Sequence, residues 1–239
     1  MNAKTILLTA TMTMTAAVAV QAQTLFFDFG DPAQQTTGNY NNILIANGSV
    51  ANAIDNTGAT TGISLSTSGF NPGSNLNGTT APSGAASIFD PQATRDNFFG
   101  HALGVFNQPT ILPLGMLTFT GLNPLATYDF TFFASRTGVS DNRETKYEAV
   151  GLNSGFSTLD AANNIANVAT VSGISPNAQG NLTVNVTMGP NNNNTTGFFY
   201  LGAMQVVVNP VPEPSSLALA ALGGLALAFG RRHLRGKRD

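Results

Sequence analysis

The chain has 239 residues, of which 10 are basic, 12 are acidic and none is cysteine, so no disulfide or thiolate chemistry is available to it. Six basic residues lie at the ends of the chain, and residues 23–210 therefore carry four basic and ten acidic side chains, a net charge of −6. This acidic balance argues against nucleic acid as a partner of the central region.

Residues 1–22 have the pattern of a secretory signal peptide. Lys4 supplies a short positive start, residues 5–20 are mostly apolar apart from threonines, and residues 20–22 place small or modest side chains at the usual cleavage positions. We expect an N-terminal signal helix that is removed after Ala22. An uncleaved anchor is disfavoured because the segment is threonine-rich and too short to span a bilayer well.

Residues 23–209 are expected to form one all-β domain, a two-sheet antiparallel β-sandwich. Residues 181–188 show the clearest alternation, since Leu182, Val184 and Val186 point one way and the intervening polar residues point the other. Other segments rich in β-branched and aromatic residues predict further strands. The predicted strands cover residues 24–29, 42–46, 62–66, 98–106, 116–120, 127–135, 145–150, 167–172, 181–188 and 198–208.

The segments between these strands carry turn and loop chemistry. Residues 121–124 (Gly-Leu-Asn-Pro) predict a tight hairpin connection, and residues 189–194 (Gly-Pro and four Asn) predict a polar loop. Residues 68–94, rich in Gly, Pro, Ser and Asn, predict a long surface excursion. A single helical turn is expected within residues 159–166.

The central region is similar to the jelly-roll, galactose-binding-like modules of bacterial surface and polysaccharide-handling proteins. The resemblance rests on loose β patterns at residues 25–30, 117–124, 127–133 and 198–206. It implies a jelly-roll-like sandwich and, as one possible function, carbohydrate binding. No ligand residue of those modules can be matched to a position here.

Catalysis has little support in the sequence, and we expect no catalytic residue. His101 is the sole histidine of residues 23–210, and its surroundings predict a strand residue rather than part of a catalytic triad. Asp141, Glu144 and Glu148 could supply the paired carboxylates of a glycan-acting hydrolase, but the alternating charges around them favour a solvated loop that enters a strand. We therefore predict a non-enzymatic protein, with a hydrolase as the least favoured alternative.

Oxygen ligands for a structural calcium ion are available. Asp28, Asp31 and Asp160, with backbone and Asn carbonyls, are the donors that Ca²⁺ prefers, although no calcium-loop signature is present. We expect no cofactor other than such a calcium ion.

Two aromatic positions are candidates for sugar binding, because sugar rings stack on aromatic faces and their hydroxyls pair with polar planar groups. Tyr40 is followed by Asn42 in an Asn-rich segment, and Tyr147 lies four residues after Arg143. The opposing interpretation of Tyr40 is that it marks a loop that enters a strand.

The C-terminal segment, residues 210–239, has three parts in a fixed order. Pro212, Glu213 and Pro214 precede an uncharged run, 215–230, and a basic tail, 231–238, follows with Arg231, Arg232 and Arg235. The run is short for a bilayer span, but it lacks a polar face, and basic side chains at its end can extend to the interface. We expect a transmembrane helix over residues 215–230 with its basic tail in the cytoplasm.

This three-part order resembles the PEP-CTERM sorting signal of exported bacterial proteins. The resemblance implies that exosortase, a membrane-embedded cysteine protease, cuts near residues 212–214 after transient anchoring in the inner membrane. It implies further that the protein reaches the cell surface or the extracellular space. We expect a structural or adhesive role in an exopolysaccharide or biofilm layer, with a carbohydrate-binding module as the alternative and extracellular polysaccharide as a partner.

A processing experiment tests the sorting prediction. Cell fractionation should yield a mature form that lacks the residues after about Pro214. Glu213→Ala, or deletion of residues 231–238, should leave the long form in the membrane fraction, because each removes one part of the signal. Unchanged processing in both variants would contradict it.

Overall fold

The computed structural model describes residues 23–210, which contain thirteen β-strands and two short 3₁₀ helices. The helices are Pro32–Gln34 and Gly84–Ile88. The strands are β1 Gln23–Phe29, β2 Tyr40–Ile43, β3 Ser49–Val50, β4 Ser64–Ser68, β5 Phe98–His101, β6 Leu114–Thr120, β7 Thr127–Phe133, β8 Glu144–Val150, β9 Ser154–Asp160, β10 Ala169–Ile174, β11 Leu182–Met188, β12 Phe198–Leu201 and β13 Ala203–Asn209.

Two sheets form a sandwich, which confirms the predicted all-β fold. One sheet has the order β10-β7-β13-β1-β2 and the other β3-β4-β6-β11-β8-β9. Every pairing in them is antiparallel apart from the parallel β1–β2 pair. The strands β5 and β12 pair with each other in a separate two-stranded sheet. The expected signal helix and transmembrane helix lie outside the described residues, and within 23–210 no helix has the length and apolarity to cross a bilayer.

The core between the sheets is built mainly from phenylalanine and aliphatic side chains. Leu182, Val184 and Val186 of β11 are buried, as their alternation predicts. Across the two sheets, the ring of Phe132 in β7 stacks on Tyr147 in β8, with centroids 4.6 Å apart and an interplanar angle of 5°. Each large apolar side chain buried in this way stabilises the fold by about 1.5–3 kcal/mol.

The connection at residues 121–124 is not a hairpin, and that prediction is wrong. β6 pairs with β4 and β11 in one sheet, whereas β7 pairs with β10 and β13 in the other, so the connection crosses between the sheets. Gly121 has φ +76°, and a Cβ there would lie 2.3 Å from the carbonyl oxygen of Gly62. The turn residues are recognisable in the sequence, but the destination of the chain after them is not.

Three predicted strands end earlier than expected, a fourth divides in two, and two strands were not predicted. The segments predicted as 42–46, 98–106 and 127–135 end at Ile43, His101 and Phe133, and the run 198–208 divides at Gly202 into β12 and β13. The unpredicted strands are β3 and β9. Because β9 extends to Asp160 and loop follows it, the helical turn expected over residues 159–166 is also wrong.

Residues 68–94 are not a simple surface excursion. Phe70 packs in the main core, and Phe89 and Ala93 are buried in a second cluster beside Phe133. Ala86, in the second 3₁₀ helix, is buried there as well. The segment therefore forms part of the packed structure although its composition is typical of a loop.

Alanine substitution at Gly121 tests the close approach of this connection to the backbone of Gly62. Gly138→Ala is the matched control, since Gly138 also has a positive φ (+72°) but no heavy atom lies within 4 Å of the point where its Cβ would be. Both variants should lose about 1–2 kcal/mol of unfolding free energy to the left-handed backbone conformation. Gly121→Ala should lose about 1–3 kcal/mol more, from the clash with Gly62. Equal losses in chemical denaturation would contradict this close approach.

Candidate functional site

The ribbon formed by β5 and β12 has two apolar faces, and one of them builds the candidate site. In the antiparallel pair, Phe199 is opposite Gly100 and Tyr200 is opposite Phe99. Phe199 joins the main core, whereas Phe99 and Tyr200 belong to a separate cluster against which Phe198 packs. Period-two alternation therefore directs alternate aromatic rings away from the core.

Hydrogen bonds at the ends of β5 and β12 fix where this ribbon lies. The Asn97 amide donates to the carbonyl of Ser135 at 2.7 Å and accepts from the Ser135 N–H at 3.2 Å. Gly202 donates its N–H to Phe133 and accepts from Phe29 through its carbonyl, at 3.0 and 2.8 Å. A Cβ at Gly202 would lie 2.6 Å from the Asn97 Oδ1, so glycine permits this close approach.

The outward face of the ribbon lines a cleft of about 540 Å³, which we call the aromatic cleft. Phe106, from the loop after β5, packs edge-on against Phe198 with centroids 5.1 Å apart, and it stays 40% exposed. Besides Phe106 and the aromatic residues of the ribbon, the lining consists of polar residues and one aliphatic residue. The lining residues are Ser74, Asn75, Leu76, Asn77, Phe99, Phe106, Arg136, Arg143, Phe198 and Tyr200.

Arg143 joins the polar and aromatic parts of the cleft. Its Nε donates to Asp141 at 3.1 Å, its Nη1 donates to the Tyr200 hydroxyl, and its Cζ lies 5.4 Å from the Phe198 ring centroid. Burial opposes ionisation of Asp141, but hydrogen bonds from Asn194 and Arg143 outweigh it and lower the pKa of this carboxyl. The guanidinium is thus held in place by an ion pair, a hydrogen bond and a cation–π contact.

Such a lining suits a ligand that is apolar on its faces and polar at its edges. The exposed side of Phe106 and the half-buried Phe198 offer ring faces, and the exposed amide of Asn77 offers a donor and an acceptor. Pyranose sugars have this distribution of C–H faces and hydroxyl edges. The cleft thus places apolar ring faces beside polar side chains.

Of the four residues predicted for sugar binding, Arg143 is the one that lines the aromatic cleft. Tyr147 has 0% exposure and donates its hydroxyl to the Tyr200 carbonyl at 2.8 Å, so the expectation that its ring contacts a ligand is wrong. In β8 it lies between Lys146 and Glu148, which are half-buried and form an ion pair with each other. The alternation of that strand is therefore sufficient to place Tyr147 inside.

Tyr40 and Asn42 lie on β2 and are absent from the lining of the aromatic cleft. The Tyr40 ring packs on Phe26 at 5.4 Å, and its hydroxyl accepts from the N–H of Asp90. The Asn42 amide both accepts from and donates to the backbone of Thr36. These contacts hold the segment after β1 in place, and the structure does not bring the two residues together with Arg143.

Sequence reasoning missed the aromatic residues of the cleft and Arg136. The signal is present in the adjacent aromatic pairs Phe98-Phe99 and Phe198-Phe199, which give a strand apolar side chains on both faces. A strand with two apolar faces either lies between two layers or presents one face as a binding surface. Asn75 and Asn77 give no signal, because the chain is rich in Asn throughout.

Asp28 lies in a second polar cluster, with Asp96 and Arg95. Asp28 and Asp96 are 2% and 0% exposed, and the Oδ1 atom of each has no hydrogen-bond partner among the described residues. Burial raises the pKa of Asp28 to about 7, opposed by hydrogen bonds from Thr36. Burial likewise raises the pKa of Asp96 to about 6.

The three aspartates predicted to bind calcium do not share one site. Asp31 donates its backbone N–H to Asp96 and so lies near the cluster of Asp28, whereas Asp160 accepts from the backbone N–H groups of Arg143 and Ala162. Within residues 23–210, no three His, Asp or Glu side chains lie close enough together to hold a metal ion. Asp160 therefore does not form the predicted calcium site with Asp28 and Asp31.

Each acid considered for catalysis takes part in a structural contact. Asp141 pairs with Arg143, Glu144 accepts from the Asn191 amide at 2.8 Å, and Glu148 pairs with Lys146 at 3.1 Å. His101 is fully buried in β5, with its Nδ1 2.9 Å from the carbonyl oxygen of Gly104.

Comparison with known proteins identifies the C-terminal segment. Residues 210–233 match the family model described as the PEP-CTERM protein-sorting motif, which confirms the resemblance seen in the sequence. No curated protein matches the chain. Among solved structures, the complex of TmCBM61 with β-1,4-galactotriose is similar at 7% identity, over 48% of this chain and 67% of that one. Its TM-score is 0.25, too low to support a fold or a ligand.

The buried acids predict how stability depends on pH. Between about pH 4 and pH 7 the folded chain keeps a proton on Asp28 that the unfolded chain releases above the ordinary pKa of 3.8. The unfolded state then binds fewer protons, so the free energy of unfolding should fall as the pH rises, by up to about 1.4 kcal/mol per pH unit for each retained proton.

Asp28→Asn should flatten that slope in denaturation curves measured from about pH 4 to about pH 8, because the amide stays neutral throughout. Asp129→Asn is the control, since it removes a carboxylate outside the cluster and keeps an acceptor for the Gly173 N–H. An unchanged slope in Asp28→Asn would show that the buried acid does not hold its proton.

Proposed function

We propose that the chain is an exported protein, sorted through its C-terminal segment, whose β-sandwich holds extracellular polysaccharide in the aromatic cleft. The role is adhesive or structural within an exopolysaccharide layer and involves no catalysis. The observation that carries the proposal is the cleft itself, which combines aromatic ring faces with amide and guanidinium groups on a chain that ends in a sorting motif.

The physical chemistry of the cleft favours a sugar over a purely apolar ligand. Phe106 and Phe198 give apolar contact area, while Asn75, Asn77 and Arg136 place polar groups around it. A fully apolar ligand would leave those groups without partners, at a cost of about 1–3 kcal/mol for each buried polar group. A sugar provides hydroxyls for them and C–H faces for the rings.

The hydrogen bonds and the lowered pKa of Asp141 favour binding without hydrolysis. Glycoside hydrolysis generally needs two carboxyl groups that flank one glycosidic bond. Asp141, which contacts the cleft residue Arg143, accepts from both Arg143 and Asn194. Its lowered pKa makes it a poor general acid, and its contacts serve to position the guanidinium.

The two ends of the chain provide the route to such a layer. Residues 1–22 are the proposed signal peptide, and residues 210–239 the proposed exosortase substrate with a helix at 215–230 that anchors the chain transiently in the inner membrane. Release near residues 212–214 would deliver the sandwich to the cell surface or the extracellular space. A jelly-roll-like sandwich suits this role because its strand ends and loops are free to build a ligand cleft.

Binding to a panel of neutral and acidic polysaccharides tests the proposal. The full-length chain, purified in a detergent without a sugar headgroup, should bind at least one of them. Phe106→Ala should weaken that binding about tenfold, which corresponds to about 1.4 kcal/mol of lost ring contact.

Phe156→Ala is the matched control for Phe106→Ala. Phe156 is 64% exposed on β9 and contacts Lys146, away from the lining of the cleft. This variant should bind as the native chain does. The proposal fails if no polysaccharide binds, or if Phe106→Ala and Phe156→Ala weaken binding equally.

A further inference from the structure

The aromatic cleft concentrates positive charge on an acidic domain. Residues 23–210 carry ten acidic and four basic side chains, yet two of the four basic residues, Arg136 and Arg143, line this one cleft. The ten residues of its lining include no carboxylate. Such a contrast between a local site and the surrounding charge attracts anions and repels other acidic surfaces.

The two guanidinium groups of the cleft differ in their partners. Arg143 is neutralised by Asp141 and bonded to Tyr200. The ion pairs among the described residues are Arg143–Asp141 and Lys146–Glu148. Arg136 therefore has no ion-pair partner among the residues that the structure describes. Its side chain donates from Nη1 to the carbonyl of Thr137. Because a guanidinium has five N–H donors in a planar fork, most of its donors are left for a ligand.

The segment of residues 75–77 runs beside Arg136, since the carbonyl of Asn77 accepts from both the N–H and the hydroxyl of Thr137. The Nδ2 atom of Asn75 is buried, so Arg136, rather than this amide, offers donors to a ligand in this part of the lining.

From this arrangement we infer that the aromatic cleft selects a carboxylated sugar, a uronate, over its neutral counterpart. The inference rests on the proposed polysaccharide function and names its ligand class. The sugar ring packs against Phe106 and Phe198, and its carboxylate accepts from Arg136. A planar carboxylate matches the guanidinium fork, so both of its oxygens are used.

Matched pairs of polysaccharides separate the carboxylate from the rest of the ligand. Polygalacturonate and alginate are compared with their carboxyl-reduced forms, in which each uronate becomes the neutral hexose on the same backbone. The native full-length chain, in a detergent without a sugar headgroup, should bind at least one acidic form about 10- to 100-fold more tightly than its reduced form. Raising the salt concentration should reduce this difference.

Arg136→Gln should abolish the preference, so that the acidic form and its reduced form bind with equal affinity. Lys146→Gln removes the same charge outside the cleft and should keep the preference. Arg136→Lys should lie between, since lysine keeps the charge and loses the fork. Thermal unfolding of each variant verifies that it is folded.

The outcomes distinguish the uronate inference from the polysaccharide function. Equal binding of the acidic and reduced forms by the native chain would overturn the uronate inference and leave the polysaccharide function in place. An undiminished preference in folded Arg136→Gln would also overturn it. If neither member of any pair binds, and no polysaccharide of the wider panel binds, the proposed function fails and the inference with it.

Discussion

The paired hydrogen bonds between the Asn97 side chain and the backbone of Ser135 are the constraint on which the candidate site depends. They fix the start of β5 against the end of β7, and Gly202 makes this approach possible because a side chain there would clash with Asn97. The ribbon of β5 and β12 is thereby held against the sandwich. Together with the bonds of Gly202 to Phe133 and Phe29 and the bond from Tyr147 to the Tyr200 carbonyl, this attachment fixes the aromatic residues that line the cleft.

The same ribbon links stability to the proposed function. Its inner rings, among them Phe199, are buried in the core, where they contribute to folding, and its outer rings line the cleft. A rigid core therefore sets the spacing of the outer rings before any ligand binds, which lowers the entropic cost of binding. Arg143 extends this rigidity to the polar side through its contacts with Asp141 and Tyr200.

Sequence patterns predict a strand well where one of its faces is apolar and the other is polar. They predict it poorly where both faces are polar or both are apolar. β11 is recognisable because Leu182, Val184 and Val186 alternate with polar residues, and β9 is not, because Leu159 is its sole buried apolar residue. The cleft escapes prediction because it joins segments far apart in the chain, such as Asn75, Arg136 and Phe198. Their proximity depends on the ribbon's placement, which local periodicity does not encode.

The location of the ligand is the central claim, and NMR of the full-length chain labelled with ¹⁵N tests it most directly. Titration with a polysaccharide fragment that binds should shift the backbone amide signals of Phe106, Arg136 and Phe198 together, with one affinity. Shifts confined to the strand face around Phe156, or to the β2 region around Tyr40, would place the ligand elsewhere and contradict the account.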